Sequence, residues 1–241
     1  MSNDCIVIVT NRERNKFLVD SISRKIKAKT HLIQKESDFT HDNLSELSPR
    51  WIFVPHWSKL IPAEIYENFQ VVIFHMTDLP FGRGGSPLQN LIMQGFESTF
   101  ISAIQCTKEL DGGPIYLKEP LSLHGTADEI LIRASKIIEN MIIRIIKKNP
   151  SPTPQIGTPT YFKRRKPDES RIDISQISSL ESLYNFIRML DGEGYPPAFL
   201  EIGNFRISFR SPHLRYGYIE SQVKIEQVKS PTLDNDEQNQ Y

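Results

Sequence analysis

The chain has 241 residues with 39% apolar content, which is enough to bury one full core and a small appendage. Its 29 Lys and Arg residues balance its 29 Asp and Glu residues, so no global field draws the chain to nucleic acid or to an anionic membrane. No apolar run reaches the length of a membrane span, and the amino terminus lacks the basic and apolar regions of a signal peptide, so we expect a cytoplasmic protein.

The amino-terminal residues predict a strand followed by a helix. The run CIVIV at Cys5–Val9 is continuously apolar, as in a buried parallel strand, and apolar residues at helical spacing follow it through Ile26. The turn between them has no glycine-rich fingerprint, which excludes the usual dinucleotide site. Residues 31–35 predict a short second strand. Cys5 and Cys106 lie in separate apolar runs, and we expect both to be free, buried thiols.

A histidine stands at the end of the next strongly apolar strand. Residues 71–74, VVIF, predict a buried parallel strand, and His75 is its carboxyl-end residue. Ligands of open α/β sheets bind beyond that end of the strands, so a titratable group there is placed for chemistry. The loop MTDLPFGRGGSP follows, and Ser86 with Pro87 predicts the cap and first turn of a helix. A lone histidine in this position is more often a satisfied hydrogen-bonding group than a catalyst.

An aspartate and two glycines lie between the next two strands. Residues 99–106 are β-rich and apolar, and the later segment DGGPIYL predicts a tight turn at Asp111 before a strand at residues 114–117. Taken alone, an Asp before two glycines is usually a turn residue. Thr126 and Glu129 then predict a capping box at the start of a long helix with a broad apolar face.

The alternation of strands and helices up to Ile146 predicts an α/β fold with a doubly wound, mostly parallel sheet. Residues 147–159 contain four prolines and a glycine and mark a domain boundary. The basic cluster at residues 163–166 is either a solvated loop or a contact for an acceptor phosphate. Residues 178–190 predict a helix, and a hairpin follows around Gly203, which together make a small carboxyl-terminal helix-plus-hairpin module.

Taken together, HMTDLPFGRGGSP and ELDGGPIY resemble the two signature segments of the formyltransferases that use 10-formyltetrahydrofolate. That family has an Asn-x-His motif, a Leu-Pro and Arg-Gly loop, and an Asp-x-Gly-x-Ile turn. The chain matches this pattern in order and approximate spacing at His75, Leu79, Pro80, Arg83, Gly84, Asp111, Gly113 and Ile115. Residues 51–69 are similar to the family's strand and folate-binding loop, and residues 120–146 to its long closing helix.

The resemblance implies a transferase with 10-formyltetrahydrofolate as co-substrate and no metal. His75 would serve proton transfer or oxyanion stabilisation, and Asp111 would orient it and help to move the proton. The residues expected to contact folate are Trp57, Lys59, Leu60, Ile61, Thr107, Lys108, Glu109 and Leu110. Those expected to contact the acceptor are Thr77, Phe81, Gly82, Arg83, Gly84 and Gly85. For Gly82, Gly84 and Gly85 the structural alternative is a turn that needs glycine for its backbone geometry alone. For Trp57 and Phe81 the alternative is a place in the hydrophobic core.

The chain departs from the family pattern at two positions. The family's Asn, two residues before the histidine, falls on Ile73, which has no hydrogen-bonding group. That Asn donates to the formyl oxygen as charge develops there, a role typically worth about 10²–10³ in rate. Either Thr77, Gln89 or Asn90 replaces it, or the activity is reduced. Asp78 stands where the family usually has an apolar residue.

A neutral chain of this length, with a compact tail in place of a large basic domain, resembles the members that formylate nucleotide-diphosphate amino sugars for surface glycans. The alternatives are a methionyl-tRNA formyltransferase and, because of Ile73, a catalytically impaired folate-binding relative. We expect an amino-sugar nucleotide and folate as partners, and neither nucleic acid nor a membrane. A homodimer is compatible with the family resemblance. We assign residues 1–148 to the catalytic domain, 149–170 to a connector, 171–228 to the carboxyl-terminal module and 229–241 to a disordered tail.

Overall fold

A computed structural model describes residues 5–228 of the chain, so the predicted disordered tail lies outside the described residues. The chain divides into two compact units, of which the first extends to Arg165 and the second begins at Lys166. Within the described residues, no helix combines the length and the apolar character that crossing a membrane requires.

Strands and helices alternate through the first unit. Its strands are β1 (Cys5–Val9), β2 (Lys29–Ile33), β3 (Trp51–Val54), β4 (Val71–His75), β5 (Arg83–Gly84), β6 (Ser98–Gln105), β7 (Ile115–Ser122) and β8 (Tyr161–Phe162). Its helices are α1 (Phe17–Ile26), α2 (His41–Leu47), α3 (Ala63–Tyr66), α4 (Pro87–Met93) and α5 (Ala127–Lys148). Short 3₁₀ turns lie at Glu13–Asn15 and Glu36–Asp38.

Six strands form the central sheet in the order β2-β1-β3-β4-β6-β7. The first four are parallel, whereas β6 pairs antiparallel with β4 and β7 pairs antiparallel with β6. The chain places β2 on one side of β1, and β3 and β4 on the other, which is the doubly wound arrangement. The predicted α/β fold with a mostly parallel sheet is therefore confirmed.

Both faces of the sheet are covered, which explains why its central strands are apolar at successive positions. Val7 of β1 faces a core cluster that includes Leu44 of α2 and Ile65 of α3. Ile8 is equally buried, and strand alternation directs it to the opposite face. Helix α5 packs against α1, β6 and β7. Because each fully buried aliphatic side chain contributes roughly 1.5–3 kcal/mol, this two-sided burial fixes the strand register.

The start of α5 is the predicted capping box. The hydroxyl of Thr126 accepts from the amide of Glu129 at 3.4 Å, and the Glu129 carboxylate accepts from the amide of Thr126 at 2.8 Å. These two bonds satisfy amides that the first turn of a helix leaves without partners. The helix ends at Lys148, and Asn149 after it adopts a left-handed conformation with φ of 41°.

Two predicted strands have different bounds in the structure. β2 begins at Lys29, two residues before the predicted segment, because its pairing with β1 starts at Cys5. β7 continues through Pro120 to Ser122, beyond the predicted end. A proline is tolerated there because β7 is the edge strand of the sheet and one side of it needs no ladder hydrogen bonds.

The proline-rich segment after α5 is bonded to the strands of the first unit. Thr153 exchanges two backbone hydrogen bonds with Ile115, at 2.7 and 2.9 Å. Further along, β8 pairs in parallel with β5. The segment therefore belongs to the first unit up to Arg165.

The second unit contains α6 (Leu180–Arg188) and three strands, β9 (Phe199–Ile202), β10 (Phe205–Arg215) and β11 (Tyr218–Gln227). The strands form an antiparallel sheet in the order β11-β10-β9, and α6 packs against β10. The predicted helix and the hairpin around Gly203 are both present. A second hairpin at Tyr216 and Gly217 was not predicted, because β11 is largely exposed and its polar pattern hides the strand.

Candidate active site

His75 is the last residue of β4, and its side chain is buried. Val71 and Val72, earlier in the same strand, are buried. His75 itself is paired with Ser102 of the neighbouring strand β6. Only 7% of His75 is exposed. A buried polar ring must find its hydrogen-bonding partners within the protein. The strand thus delivers a titratable ring to the loop that follows it.

Both nitrogens of the His75 ring have a partner. Nε2 lies 2.8 Å from the carbonyl oxygen of Gly82, and Nδ1 lies 3.5 Å from Oδ2 of Asp111. Because a carbonyl oxygen only accepts, Nε2 carries a hydrogen and donates it to Gly82. Nδ1 then faces the carboxylate and is the nitrogen that can take up or release a proton.

The Asp-Gly-Gly turn holds the carboxylate of Asp111 against the loop that follows β4. Asp111 has a left-handed backbone with φ of 50°, which costs roughly 1–3 kcal/mol in a non-glycine residue. Its Oδ2 accepts a hydrogen bond of 2.9 Å from the amide of Gly84. A Cβ on Gly113 would lie 1.8 Å from the carbonyl oxygen of Gln105, so this position requires glycine. The backbone of this turn therefore holds the Asp111 carboxylate in one position, against the amide of Gly84.

His75 and Asp111 meet although strand pairing alone would separate them. Because β6 runs antiparallel to β4, the end of β6 that leads to the turn lies near Val72, while His75 pairs with Ser102. The amide of Gly84, in the loop after His75, binds the Asp111 carboxylate and holds it beside the ring. The hydrogen bond between Gly84 and Asp111 therefore connects the two signature segments through the loops that follow β4 and β6.

Arg83 is buried between these loops, and its guanidinium is bound by neighbouring side chains. Nη1 donates to Glu109 at 2.5 Å, and Nε and Nη2 donate to Oε1 of Gln155 at 3.2 and 2.8 Å. The amide nitrogen of Gln155 donates to the carbonyl oxygens of Asp111 and Gly113 at 2.7 and 2.9 Å. Two predicted site residues, Arg83 and Glu109, thus contact each other. Sequence analysis missed Gln155, whose only signal is an amide side chain among prolines.

The glycines after His75 are in close contact with the segment that contains β8. Gly82 and Gly84 have φ angles of 70° and 98°, and a Cβ on Gly84 would lie 2.6 Å from the carbonyl oxygen of Phe162. A Cβ on Gly85 would lie 2.4 Å from the Cβ of Arg164. The atoms that come closest to these glycines belong to the segment that contains β8. This supports the alternative that the glycines are needed for backbone geometry alone. Contact of these glycines with an acceptor stays a prediction.

Other predicted residues of this loop also have partners within the protein. Phe81 packs edge-on against an aromatic ring of β8, with centroids 5.4 Å apart. Thr77 is fully buried, and its hydroxyl lies 3.4 Å from the carbonyl oxygen of Gly82. Ser86 and Pro87 hold the cap and first-turn positions of α4, as predicted, but Ser86 does not cap the helix with its hydroxyl. Its φ of 52° is outside the extended region of capping residues, and its Oγ accepts from the amide of Arg165 instead.

The predicted folate residues lie in two loops, after β3 and after β6. Trp57 and Ile61 pack against the core, whereas Lys59 and Leu60 are exposed. In the second loop, Thr107 is half-buried, and Lys108, Glu109 and Leu110 are exposed. Leu60 and Leu110 leave 85% and 55% of their surface in solvent. Exposed apolar side chains in two loops suit contact with a flat organic ligand, and the folate roles of these residues stay predictions.

A second histidine, near the carboxyl ends of the parallel strands, has an electrostatic environment different from that of His75. His56 follows β3, and burial together with the charges of Arg14 and Arg12 lowers its pKa to about 3. Its Nδ1 lies 3.3 Å from the side-chain nitrogen of Asn15, which is also buried. The ring is therefore neutral at physiological pH, and it is unsuited to proton transfer.

Both cysteines are free and buried, as predicted. Burial and the charge of Asp111 raise the pKa of the Cys106 thiol to about 11. A thiol that stays protonated is a poor nucleophile, so Cys106 contributes packing near the site. His75 and Asp111 are the pair that suits proton transfer.

Two family models match the chain. A model described as formyl transferase matches residues 5–145, and a model described as the carboxyl-terminal domain of methionyl-tRNA formyltransferase matches residues 167–226. The first model alone matches more than half of the chain. The fold and the two signature segments described above lie within it.

Known relatives share both the fold and part of the sequence. The chain is similar to a methionyl-tRNA formyltransferase from Clostridium thermocellum, at 44% identity and a TM-score of 0.89 over 93% of this chain and 99% of that one. The methionyl-tRNA formyltransferase of Thermobifida fusca (strain YX) is 31% identical over 56% of this chain and 46% of its own length. The chain spans about half the length of the curated relatives it matches.

A sugar N-formyltransferase from Shewanella sp FDAARGOS_354 shares the fold, with a TM-score of 0.68 and 12% identity over 86% of this chain and 97% of that one. The match of the formyl transferase family model to residues 5–145 confirms the family that the segments HMTDLPFGRGGSP and ELDGGPIY indicate. The chain therefore belongs to the formyl transferase family.

Proposed function

We propose that the protein transfers the formyl group of 10-formyltetrahydrofolate to the amine of a nucleotide-linked amino sugar. The observation that carries formyl transfer is the pairing of His75 Nδ1 with the Asp111 carboxylate at 3.5 Å. An amine that attacks a formyl carbon must lose a proton, and the leaving nitrogen must gain one. A buried imidazole beside a carboxylate suits both steps.

In the proposed reaction, the neutral amine of the acceptor attacks the formyl carbon on N10 of the folate. Nδ1 of His75 takes a proton from the amine as the new C–N bond forms, and the Asp111 carboxylate stabilises the imidazolium. The bond to N10 then breaks, and the proton passes to N10 directly or through a water molecule. The products are a formamide and tetrahydrofolate, so no proton is gained or lost overall.

Ile73 leaves the developing oxyanion without the donor that the family pattern supplies. Its side chain is partly buried against the core. Among the expected replacements, Asn90 donates its amide hydrogens to the backbone carbonyls of Gly85, Ser86 and Lys163, and Thr77 lies close to the carbonyl of Gly82. Because these groups already have partners, we expect no full replacement for the family's Asn from Asn90 or Thr77, and therefore slow turnover.

The charge of the second unit supports a small acceptor. Residues 166–228 contain seven Lys and Arg against nine Asp and Glu, a net charge of −2. A protein that binds an RNA backbone neutralises several phosphates with excess cations. Residues 163–165 are all basic, and Arg165 bonds to Ser86 in the loop after His75. One local cluster beside this loop suits the diphosphate of a nucleotide sugar.

Methionyl-tRNA is the second candidate acceptor. It is favoured by the 44% identity to the Clostridium thermocellum protein, which carries the name of that activity. An RNA acceptor predicts binding that weakens steeply with salt, because each neutralised phosphate releases counterions. A nucleotide sugar, with two phosphates, predicts a shallow dependence.

One assay separates the two acceptors. The protein is mixed with 10-formyltetrahydrofolate and, in parallel, with a panel of UDP-, dTDP-, GDP- and CMP-linked amino sugars or with methionyl-tRNA. We expect release of tetrahydrofolate and a formylated product with at least one sugar, and with no tRNA. Turnover with tRNA alone would replace the first proposal by the second. Folate binding without turnover on any acceptor would contradict both and support the impaired relative.

A further inference from the structure

We propose that Gln155 is a positioning residue that sets the Asp111 carboxylate relative to the His75 ring. The inference rests on the proposed function, because it assigns these two residues to proton transfer. Gln155 lies in the proline-rich segment whose composition indicates only a connector. In the structure, this segment contributes a side chain to the wall of the site.

All four hydrogen-bonding positions of the Gln155 amide are used. Its nitrogen donates to the carbonyl oxygens of Asp111 at 2.7 Å and Gly113 at 2.9 Å. Its oxygen accepts from Nη2 of Arg83 at 2.8 Å and from Nε at 3.2 Å. The opposite orientation of the amide would place oxygen against two carbonyls and nitrogen against a guanidinium, so only one orientation fits.

These bonds close a ring of contacts around the proposed catalytic pair. Arg83 lies between Gly82, whose carbonyl accepts from His75 Nε2, and Gly84, whose amide donates to Asp111. Gln155 joins Arg83 to the turn that carries Asp111. The same amide thus fixes both the loop that holds the ring and the turn that holds the carboxylate.

The backbone around Gln155 is suited to fixing its side chain in place. Thr153, two residues earlier, is bonded to Ile115 through both of its backbone groups. Pro152 and Pro154 flank Thr153, and the proline ring fixes φ and holds the chain extended. A half-buried amide on such a rigid segment can hold a turn in register without itself contacting substrate.

Two variants separate a positioning role from a structural one. Gln155→Glu keeps an acceptor for Arg83 but loses both donors to the turn, and Gln155→Met removes every hydrogen bond at similar volume. Gln94→Met is the matched control, because Gln94 is an exposed glutamine in the same unit. We expect both Gln155 variants to lower kcat by about 10- to 100-fold, since an error of about 1 Å in alignment can cost this much. The KM for folate should change less than about threefold, because within residues 5–228 Gln155 makes no hydrogen bond to a residue expected to contact folate.

The second readout does not require turnover. The ring nitrogen resonances of His75, assigned in a ¹⁵N-labelled sample by their loss in His75→Ala, report the protonation and hydrogen bonding of the ring. Asp111 is an ionisable group that contacts the ring, and its charge also acts on the Cys106 thiol. We expect these resonances to shift in both Gln155 variants and to stay unchanged in Gln94→Met.

The outcomes distinguish this inference from the proposed function. If the wild type has no turnover, shifted His75 resonances in the Gln155 variants still support the positioning role, and only the proposed function fails. Wild-type kcat and unshifted resonances in Gln155→Glu would overturn the positioning role. Global unfolding of both Gln155 variants, seen by circular dichroism, would also overturn it in favour of a structural role.

Discussion

Two histidines lie beyond the carboxyl ends of neighbouring parallel strands, and their surroundings differ in the sign of the nearby charge. His75 ends β4 and faces the Asp111 carboxylate at 3.5 Å. His56 follows β3, and burial together with the nearby charges of Arg14 and Arg12 lowers its pKa to about 3. The first ring faces a carboxylate, and the second is neutral at physiological pH. Similar positions in the sheet therefore give the two rings different surroundings, a carboxylate beside His75 and burial with two guanidinium charges around His56.

The largest expected effect is the loss of the His75 ring. His75→Ala should lower kcat by about 10³-fold or more, because general acid–base catalysis by one group contributes typically 10²–10⁴. The variant should keep its fold, since His75 ends a strand next to a loop. The measurement is tetrahydrofolate release at saturating folate, with circular dichroism to check folding. His56→Ala is the control, and it should retain most of the wild-type kcat. Equal losses in the two variants would contradict the assignment of roles.

The next effect in size isolates the charge of Asp111. Asp111→Asn retains an oxygen that can accept from the amide of Gly84, so the turn should keep its shape. It removes the negative charge opposite His75, and we expect kcat to fall about 10²–10³-fold. Single-turnover measurements would show whether the chemical step is the one that slows. A variant with wild-type rates would mean that Asp111 only shapes the turn.

Much of this site could be predicted from local sequence. His75 is recognisable because an apolar strand ends at it, and Thr126 because a capping box has a fixed spacing. The positions of Asp111 and the glycines follow from turn chemistry and the family resemblance. Each of these features depends on residues within a few positions along the chain.

The contacts that complete the site depend on residues far apart in the sequence. Gln155 lies 44 positions from Asp111, and no periodicity connects the two. The antiparallel direction of β6 likewise gives no local hint that its turn reaches His75. Ser86 has the sequence of a helix cap, yet tertiary contact with Arg165 takes its hydroxyl. Long-range hydrogen bonds of this kind require the fold before they can be seen.

A smaller effect tests the departure from the family pattern. Ile73→Asn restores the amide donor two residues before His75, and we expect kcat to rise about tenfold if the oxyanion lacks a neutral donor. The cost is a polar group in a partly buried strand, which lowers the free energy of unfolding by about 1–3 kcal/mol. Ile73→Val is the matched control, since it stays apolar. No gain in kcat would show that another group already fills the role.

The smallest expected effect concerns His56 and appears in stability alone. Its pKa is about 3 in the folded protein and about 6.5 when the chain unfolds, so below pH 6.5 the unfolded chain binds the extra proton. Stability linked to this ring is therefore present above pH 6.5 and is lost as pH falls towards 3. Between pH 7 and pH 5 the loss amounts to about 2 kcal/mol. Urea unfolding at the two pH values should show that His56→Gln loses about 2 kcal/mol less than the wild type. An identical loss in both proteins would mean that burial and the charges of Arg14 and Arg12 do not lower the pKa of this ring, and the contrast with His75 would disappear.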